Sequence, residues 1–268
     1  MGEYGFLALD IDGTVTNSKK EITPAVHAEI RRLQEAGIPV ALVSGRPVLG
    51  MKHVADELDF SNYNCYILAF NGGKIIDTKT NKVVYSQTIP LPLAKEVCKA
   101  ATEYDVAIVT YKGEYIISSD PDNQYTQIES YVTRIPVRGV HSMEEEVDFE
   151  PDKFLFVGEP LYIESILPEM QRRFAGKLNI FRSEPYFMEI VPLGIDKARS
   201  LDRLLDKLGM TSENLVACGD GFNDISMVNF AGMGVAMANA CAETKAVANY
   251  IAPSNDEDGV ADAIKKFF

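Results

Sequence analysis

Apolar runs of strand length alternate along the chain with segments of helical periodicity. Phe6–Leu9 and residues 38–43 are continuous apolar runs, a pattern typical of buried parallel strands. Between them, residues 23–36 begin with Thr as N-cap, carry Pro at the first helical position and space their apolar residues as a helix does,. The alternation continues to residue 70 and predicts a parallel sheet with helices on both faces.

The middle of the chain interrupts this alternation. Two prolines within residues 88–92 indicate a linker, and residues 106–111 and 114–118 are candidate strands of a hairpin,. Helix-and-strand alternation then resumes near residue 196. We therefore predict an α/β fold: a doubly wound parallel-sheet (Rossmann-like) core with an inserted α+β domain. The predicted bounds are 1–85 and 185–268 for the core and 86–184 for the insert.

Polar residues follow the first three predicted strands of the core. Asp10 and Asp12 follow the first strand, Ser44 the second and Asn71 the third. In sheets of this class, ligands bind beyond the carboxyl ends of the strands. Asp10 and Asp12 are two residues apart and, in extended chain, face the same pocket. Two like charges placed so close together usually imply a bound cation.

A second acidic pair lies at a later turn between a strand and a helix. Asp220 and Asp224 flank this turn, and Lys197 opens the preceding helix. Carboxylate oxygens without nitrogen or sulfur ligands suit Mg²⁺, which often bridges to a substrate phosphate. Simpler roles stay open: a turn residue for Asp220, a helix N-cap for Asp224 and a solvated surface cation for Lys197.

Composition narrows the class of protein. The chain has 268 residues, of which 46% are hydrophobic and 24% charged, as in a soluble globular protein with one large or two modest domains. A net charge of −13 argues against non-specific binding to nucleic acid or to anionic membranes. No signal peptide or membrane span is visible, and the four cysteines are scattered; both favour a reducing cytoplasm. No histidine falls at a strand end, so we expect none in catalysis.

Four motifs along the chain carry a family resemblance. They are Asp10-Ile-Asp12-Gly-Thr14, Ser44-Gly45-Arg46, Lys197 and Gly219-Asp220-Gly-Phe-Asn223-Asp224. In this order they resemble the motifs of the haloacid dehalogenase superfamily. Three further stretches, which begin at Asn71, Gly232 and Asn255, are similar to its Cof-type branch of sugar phosphatases. Ala198 and Ala238 depart from that branch, which often has Gly there. The insert would be the cap domain of this family.

The resemblance implies a Mg²⁺-dependent phosphatase. Asp10 would be the nucleophile that forms an aspartyl-phosphate, and Asp12 the general acid and base. Asp10 and Asp220 would bind Mg²⁺ through their carboxylates, Asp12 through its main-chain carbonyl and Asp224 through water. The remaining candidates are the phosphate-binding residues Ser44, Gly45, Lys197 and Asn223, the loop-fixing Thr14, and Arg46 and Asn71 at the rim.

The cap would set specificity. Residues 86–92 and 184–192 could serve as hinges, and Asp122, Asn123 and Arg182 could contact sugar hydroxyls. The expected substrates are small phosphorylated metabolites, above all sugar phosphates, although pyridoxal or flavin-precursor phosphates stay open. Two alternatives to a phosphatase stay open. One is an enzyme, a phosphotransferase or phosphomutase, and the other is a non-catalytic phosphosugar sensor. A sensor has no need of both Asp10 and Asp12. The oligomeric state is open.

Overall fold

The structure is a computed structural model that describes residues 4–268. Fourteen strands occur in this range, in chain order β1 to β14: Phe6–Leu9, Val40–Val43, Cys65–Ala69, Lys74–Asp77, Lys82–Ser86, Ala107–Lys112, Tyr115–Ser118, Val137–Gly139, Phe154–Val157, Leu178–Glu184, Phe187–Pro192, Leu215–Gly219, Met233–Met237 and Tyr250–Ala252. The same range contains ten α-helices, α1 to α10: Pro24–Glu35, Val48–Glu57, Leu91–Ala101, Gln124–Thr133, Met143–Glu146, Pro160–Arg173, Lys197–Leu208, Ile225–Phe230, Ala242–Val247 and Gly259–Phe267.

The chain divides into two compact units. The first comprises the residues up to Ser86 together with Asp196–Phe268, and the second is Gln87–Ile195. In the first unit an eight-stranded sheet has the order β14-β13-β12-β1-β2-β3-β4-β5. The six strands from β14 to β3 are parallel. The predicted α/β fold class is confirmed.

The central strand β1 sets the geometry of the sheet edge. All four of its residues are buried. Leu9, its last residue, is in register with Cys218 of β12 on one side and with Leu42 of β2 on the other. The three strands therefore end at nearly the same level. The residues that follow them, beginning with Asp10, Ser44 and Asp220, emerge at one edge of the sheet.

Strands β4 and β5 extend the sheet in a way that the sequence analysis did not predict. Only four residues separate β3 from β4, whereas a parallel crossover needs a dozen or more. Both β3–β4 and β4–β5 are accordingly antiparallel. The missed signal in β5 is the short apolar run of residues 83–85, although all five residues of the strand are exposed or half-buried.

The second unit contains a six-stranded sheet of order β10-β11-β9-β6-β7-β8. The predicted hairpin β6–β7 is present and antiparallel, β10–β11 is a second antiparallel pair, and β7–β8 is parallel. Val97 of α3 and Ile163 of α6 share one apolar core with Phe154 and Phe156 of β9. Both helices therefore cover the same face of the sheet. Helices α4 and α5 and strand β8 were not predicted.

The boundary of the second unit differs from the predicted one. The predicted insert ends at residue 184, and residues 184–192 are predicted as a possible hinge. Strand β11 occupies Phe187–Pro192 and pairs with both β10 and β9. It is an interior strand of the second sheet, so the hinge prediction for this segment is wrong and the unit continues to Ile195.

Among the residues described, no helix has both the length and the apolar character needed to cross a membrane.

Candidate active site

Asp10 stands at the carboxyl end of β1. Its carboxylate is buried, with 5% of the residue exposed, and its backbone N–H donates to the carbonyl of Cys218 at 3.0 Å. Gly13 lies three residues later with φ of +84°, a conformation that favours glycine. A Cβ at Gly13 would lie 2.3 Å from Oδ2 of Asp220. Glycine at this position therefore permits the close approach of Asp220 to the loop after β1.

Lys197 is the buried cation beside Asp10. It is the first residue of α7, whose N-cap is Asp196, and only 1% of it is exposed. Its Nζ donates to Oδ1 of Asp10 at 2.8 Å, to Oδ1 of Asp224 at 2.5 Å and to the carbonyl of Val43 at 3.0 Å. An ammonium group has three donors. All three are used, so the surface-lysine alternative is wrong.

Three carboxylates converge at this point. Oxygens of Asp10, Asp220 and Asp224 lie within 4.8 Å of one another. Oδ1 of Asp220 accepts from the hydroxyl of Thr14 at 2.8 Å, which places Thr14 where the sequence analysis expected a loop-fixing contact. Oδ2 of Asp224 accepts from the N–H groups of Asp220 and Gly221 at 3.0 and 2.8 Å. Asp224 thus fixes its own turn as well as contacting Lys197.

Burial shifts the protonation of this cluster. Desolvation, together with the neighbouring Asp224, raises the pKa of Asp10 well above its ordinary value, against the opposing effect of Lys197,. Desolvation also raises the pKa of Asp220, to about 6, although the hydrogen bond from Thr14 opposes the shift. One lysine does not balance three carboxylates. The arrangement is that of a site for an additional cation.

Asp12 lies in a different environment from Asp10. Arg46 donates to it through two nitrogens, Nε to Oδ2 and Nη2 to Oδ1, both at 2.7 Å. Lys20 donates its Nζ to Oδ1 at 2.7 Å. Burial raises the pKa of Asp12, but Arg46 and then Lys20 outweigh it and hold that pKa below the ordinary value. Arg46 is predicted from the sequence at the rim of the site, whereas Lys20 carries no motif signal.

The predicted phosphate-binding residues after β2 lie beside Asn71. Ser44 is 4% exposed, and its carbonyl accepts from the N–H of Asn71 at 2.9 Å. Asn223 donates its Nδ2 to Oδ1 of Asn71 at 3.0 Å. A Cβ at Gly45 would lie 3.2 Å from Nδ2 of Asn71. The structure therefore brings Ser44, Gly45 and Asn223 together, with Asn71 in contact with each.

Two asparagines, one in each of the stretches that begin at Gly232 and Asn255, support the loop after β1. Asn239 donates to the carbonyl of Gly13 at 2.8 Å, and Asn255 donates to the carbonyl of Thr16 at 2.9 Å. The backbone N–H of Asn255 also donates to Oδ1 of Asn239 at 3.0 Å. These contacts hold in place the segment that carries Asp12.

The three candidate sugar-contact residues have structural contacts inside the second unit. Asn123 is the N-cap of α4, and its side chain accepts from the N–H of Tyr125. Arg182 pairs with Glu164 at 3.0 Å. The N–H of Asp122 donates to the side chain of Asp120 at 3.2 Å. These contacts account for the three residues without a ligand, and a role in sugar recognition stays a prediction.

Comparison with known proteins gives a match over nearly the whole chain. A family model for haloacid dehalogenase-like hydrolases matches residues 7–264. The chain belongs to this family. The family predicted from the sequence is thus confirmed, and so is the enzyme class, a phosphoric monoester hydrolase.

Individual members of the haloacid dehalogenase-like family are similar over their full lengths. A putative phosphatase of Bacillus subtilis, YxeH, is 30% identical over 97% of this chain and 97% of that protein. The 5-amino-6-(5-phospho-D-ribitylamino)uracil phosphatase YcsE of the same organism is 32% identical over 97% of this chain and 94% of its own. The crystal structure of a haloacid dehalogenase-like hydrolase from Bacteroides thetaiotaomicron has a TM-score of 0.96 and 42% identity, and covers 99% of this chain and 100% of that one.

Asp220→Asn is expected to raise the unfolding temperature of the metal-free protein at pH 7. Folding raises the pKa of Asp220 from 3.8 to about 6. Its contribution to stability is therefore fully present below pH 3.8 and is lost as the pH rises through 6. Removal of the charge should recover about 2 kcal/mol, a value reduced for partial exposure, or roughly 4–8 °C.

Thermal unfolding in excess chelator measures this shift, with Asp202→Asn on the exposed face of α7 as the control. When a divalent cation is added, the wild type should instead unfold at a higher temperature than Asp220→Asn. An unchanged or lower unfolding temperature of Asp220→Asn in chelator would contradict the interpretation.

Proposed function

We propose that this chain is a Mg²⁺-dependent phosphatase that hydrolyses small phosphorylated metabolites, above all sugar phosphates, through an aspartyl-phosphate. The observation that carries the proposal is the cluster at the carboxyl end of β1, where Lys197 donates to Asp10 at 2.8 Å and oxygens of Asp10, Asp220 and Asp224 lie within 4.8 Å of one another. Asp12, two residues later, pairs instead with Arg46 and Lys20. The two carboxylates have different partners, and we assign them different roles in one reaction.

The donor set fits Mg²⁺. Asp10, Asp220 and Asp224 offer oxygen ligands only, and their oxygens lie within 4.8 Å of one another, as a small hard cation requires. We assign the direct contacts to the carboxylates of Asp10 and Asp220 and to the main-chain carbonyl of Asp12. Asp224, whose oxygens already accept from Lys197 and two amides, would act through water. When bound, Mg²⁺ supplies positive charge to the phosphoryl oxygens.

The proposed reaction has two steps that use the residues of the first unit. In the first, a carboxylate oxygen of Asp10 attacks phosphorus, the bond to the ester oxygen breaks, and Asp12 donates a proton to that oxygen. In the second, water attacks the aspartyl-phosphate, and Asp12 removes the proton. Lys197 orients Asp10 in both steps. Ser44, Gly45 and Asn223 are assigned to the phosphoryl oxygens, because phosphoryl transfer depends mainly on position and charge stabilisation.

A second candidate substrate is 5-amino-6-(5-phospho-D-ribitylamino)uracil. It is favoured by the 32% identity to a relative named as the phosphatase of that compound. Its phosphate esterifies a ribityl chain, so the group at the reacting end resembles that of a sugar phosphate. Selection among such esters by the second unit, and a cytoplasmic location, stay predictions.

One assay tests the proposal. Phosphate release is measured with Mg²⁺ from a panel that includes glucose 6-phosphate, ribose 5-phosphate, nucleoside monophosphates, pyridoxal phosphate and the ribitylaminouracil phosphate. We expect release from sugar phosphates without an added acceptor and none in excess chelator. Dependence on a sugar acceptor would support a phosphotransferase or mutase instead. Binding without turnover across the panel would support a sensor, and full activity in chelator would exclude the metal.

Asp12→Asn is expected to affect alkyl and aryl esters unequally. An alkoxide needs a proton in order to leave, whereas p-nitrophenolate does not. We expect kcat/KM for a sugar phosphate to fall about 10²-fold or more and kcat/KM for p-nitrophenyl phosphate to fall much less. Steady-state kinetics on both esters measures the ratio. Equal losses on the two esters would mean that the proton for the leaving group comes from elsewhere.

A further inference from the structure

The turn after β1 carries a lysine in an unusual backbone conformation. Lys20 has φ of +63°, a left-handed conformation that costs a residue with a side chain roughly 1–2 kcal/mol. Its side chain is 58% exposed, yet its Nζ lies 2.7 Å from Oδ1 of Asp12. A lysine at an exposed position ordinarily extends into solvent. Lys20 instead turns back and contacts a carboxylate of the active site.

The conformation of Lys20 is held by its neighbours. Oδ1 of Asn17 accepts from the N–H of Lys19 at 2.9 Å, and the carbonyl of Asn17 accepts from the N–H of Lys20 at 2.9 Å. The N–H of Ser18 donates to Asp256 at 2.8 Å, which ties the turn to a distant part of the first unit. A disfavoured backbone conformation persists only where the surrounding structure holds it, and such positions concentrate at functional sites.

Lys20 changes what the two oxygens of Asp12 can do. Each carboxylate oxygen has two acceptor positions. Oδ1 accepts from both Lys20 and Arg46, so both of its positions are used. Oδ2 accepts from Nε of Arg46 alone. Within the described residues, Oδ2 is therefore the oxygen of Asp12 that keeps an acceptor position.

We propose that Lys20 is a positioning residue that directs proton transfer by Asp12 to Oδ2, an inference that rests on the proposed function. As the bond from Asp10 to phosphorus forms, the bond from phosphorus to the ester oxygen breaks. The electron pair left on that oxygen takes up the proton carried by Oδ2 of Asp12. Without Lys20, Oδ1 also has an open position, and the proton is shared between two oxygens of which one is correctly placed.

The test compares two esters that differ in their need for this proton. The probes are p-nitrophenyl phosphate and the alkyl phosphate of the panel that the wild type hydrolyses fastest. The quantity is kcat/KM, which reports the steps up to phosphoryl transfer to Asp10. For Lys20→Met we expect kcat/KM to fall about 10-fold on the alkyl ester and less than about 3-fold on the aryl ester. Lys20→Arg, which keeps a cation, should retain most of the alkyl activity.

Two further variants separate the ammonium group from the turn. Lys19→Met removes a lysine from the same exposed turn and should leave kcat/KM unchanged on both esters. Lys20→Gly removes the ammonium group and also relieves the left-handed backbone, so it should show the same selective loss as Lys20→Met. Unfolding temperatures of all variants verify that the fold is intact.

The outcomes are distinct. Unchanged kinetics in Lys20→Met, equal losses on both esters, or full alkyl activity in Lys20→Gly would overturn the role of Lys20. These results leave the proposed function standing, because the wild type still hydrolyses both esters. A wild type that hydrolyses neither ester would overturn the proposed function itself.

Discussion

Asp10→Asn is expected to abolish turnover while the protein stays folded. The amide cannot displace the leaving group to form the acyl phosphate, so kcat should fall at least about 10³-fold on aryl as well as alkyl esters. This lack of dependence on the leaving group distinguishes Asp10 from Asp12. Burial of the Asp10 carboxylate is unfavourable, as the raised pKa indicates. The unfolding temperature in chelator should therefore not fall.

Phosphate release and thermal unfolding measure the two effects in Asp10→Asn. Asp202→Asn, on the exposed side of α7, makes the same chemical change away from the site and should behave as the wild type. Incubation of the wild type with substrate, followed by acid quench and mass analysis, should add one phosphoryl group that Asp10→Asn does not acquire. Turnover by Asp10→Asn at the wild-type rate would reject Asp10 as the nucleophile.

Lys197→Met is expected to lose both stability and activity. Methionine keeps much of the apolar volume but leaves Asp10 and Asp224 without their shared cation in a buried position. Removal of one partner from a buried ion pair costs about 3–5 kcal/mol, because the remaining charges stay desolvated. The pKa of Lys197 is raised by Asp10 and Asp224 despite the opposing effect of burial, so the wild-type side chain is charged throughout the physiological range.

Urea denaturation gives the loss of stability, and kcat at a temperature where Lys197→Met is folded gives the loss of activity. We expect kcat to fall about 10²-fold or more, because Asp10 loses the cation that orients its carboxylate. The control is Lys207→Met, which removes an exposed lysine from the last turn of the same helix. Equal free energies of unfolding for Lys197→Met and Lys207→Met would show that the contacts of Lys197 with Asp10 and Asp224 do not stabilise the protein.

The site could be predicted largely because of one property of parallel sheets. The carboxyl ends of neighbouring parallel strands share an edge, so residues just after β1, β2 and β12 meet although they are far apart in sequence. The apolar runs identified those strands, and Asp10, Ser44 and Asp220 were thereby assigned to one place. The helix start at Lys197 could be predicted for a different, local reason, because Asp196 is a typical N-cap residue.

The sequence-based predictions failed where the apolar pattern of a strand is short, or where contacts between residues far apart in sequence determine the position of a strand or side chain. The interior position of β11 depends on its pairing with β9, some thirty residues earlier in the chain, and no local pattern in Phe187–Pro192 indicates a partner. Strand β5 has an apolar run of only three residues, 83–85, and lies at the edge of the sheet. Lys20 lies in a polar turn, where a lysine ordinarily extends into water.

By itself the sequence determined which charged residues meet at the edge of the core sheet, because apolar strand runs and the polar residues that end them are local features. Only the tertiary structure decided which cation pairs with which carboxylate. Lys197 contacts Asp10, 187 positions away, whereas Arg46 and Lys20 share Asp12. Such pairings depend on distances of a few ångströms between side chains, since an ion pair weakens with separation and with exposure to water. Sequence spacing does not specify those distances.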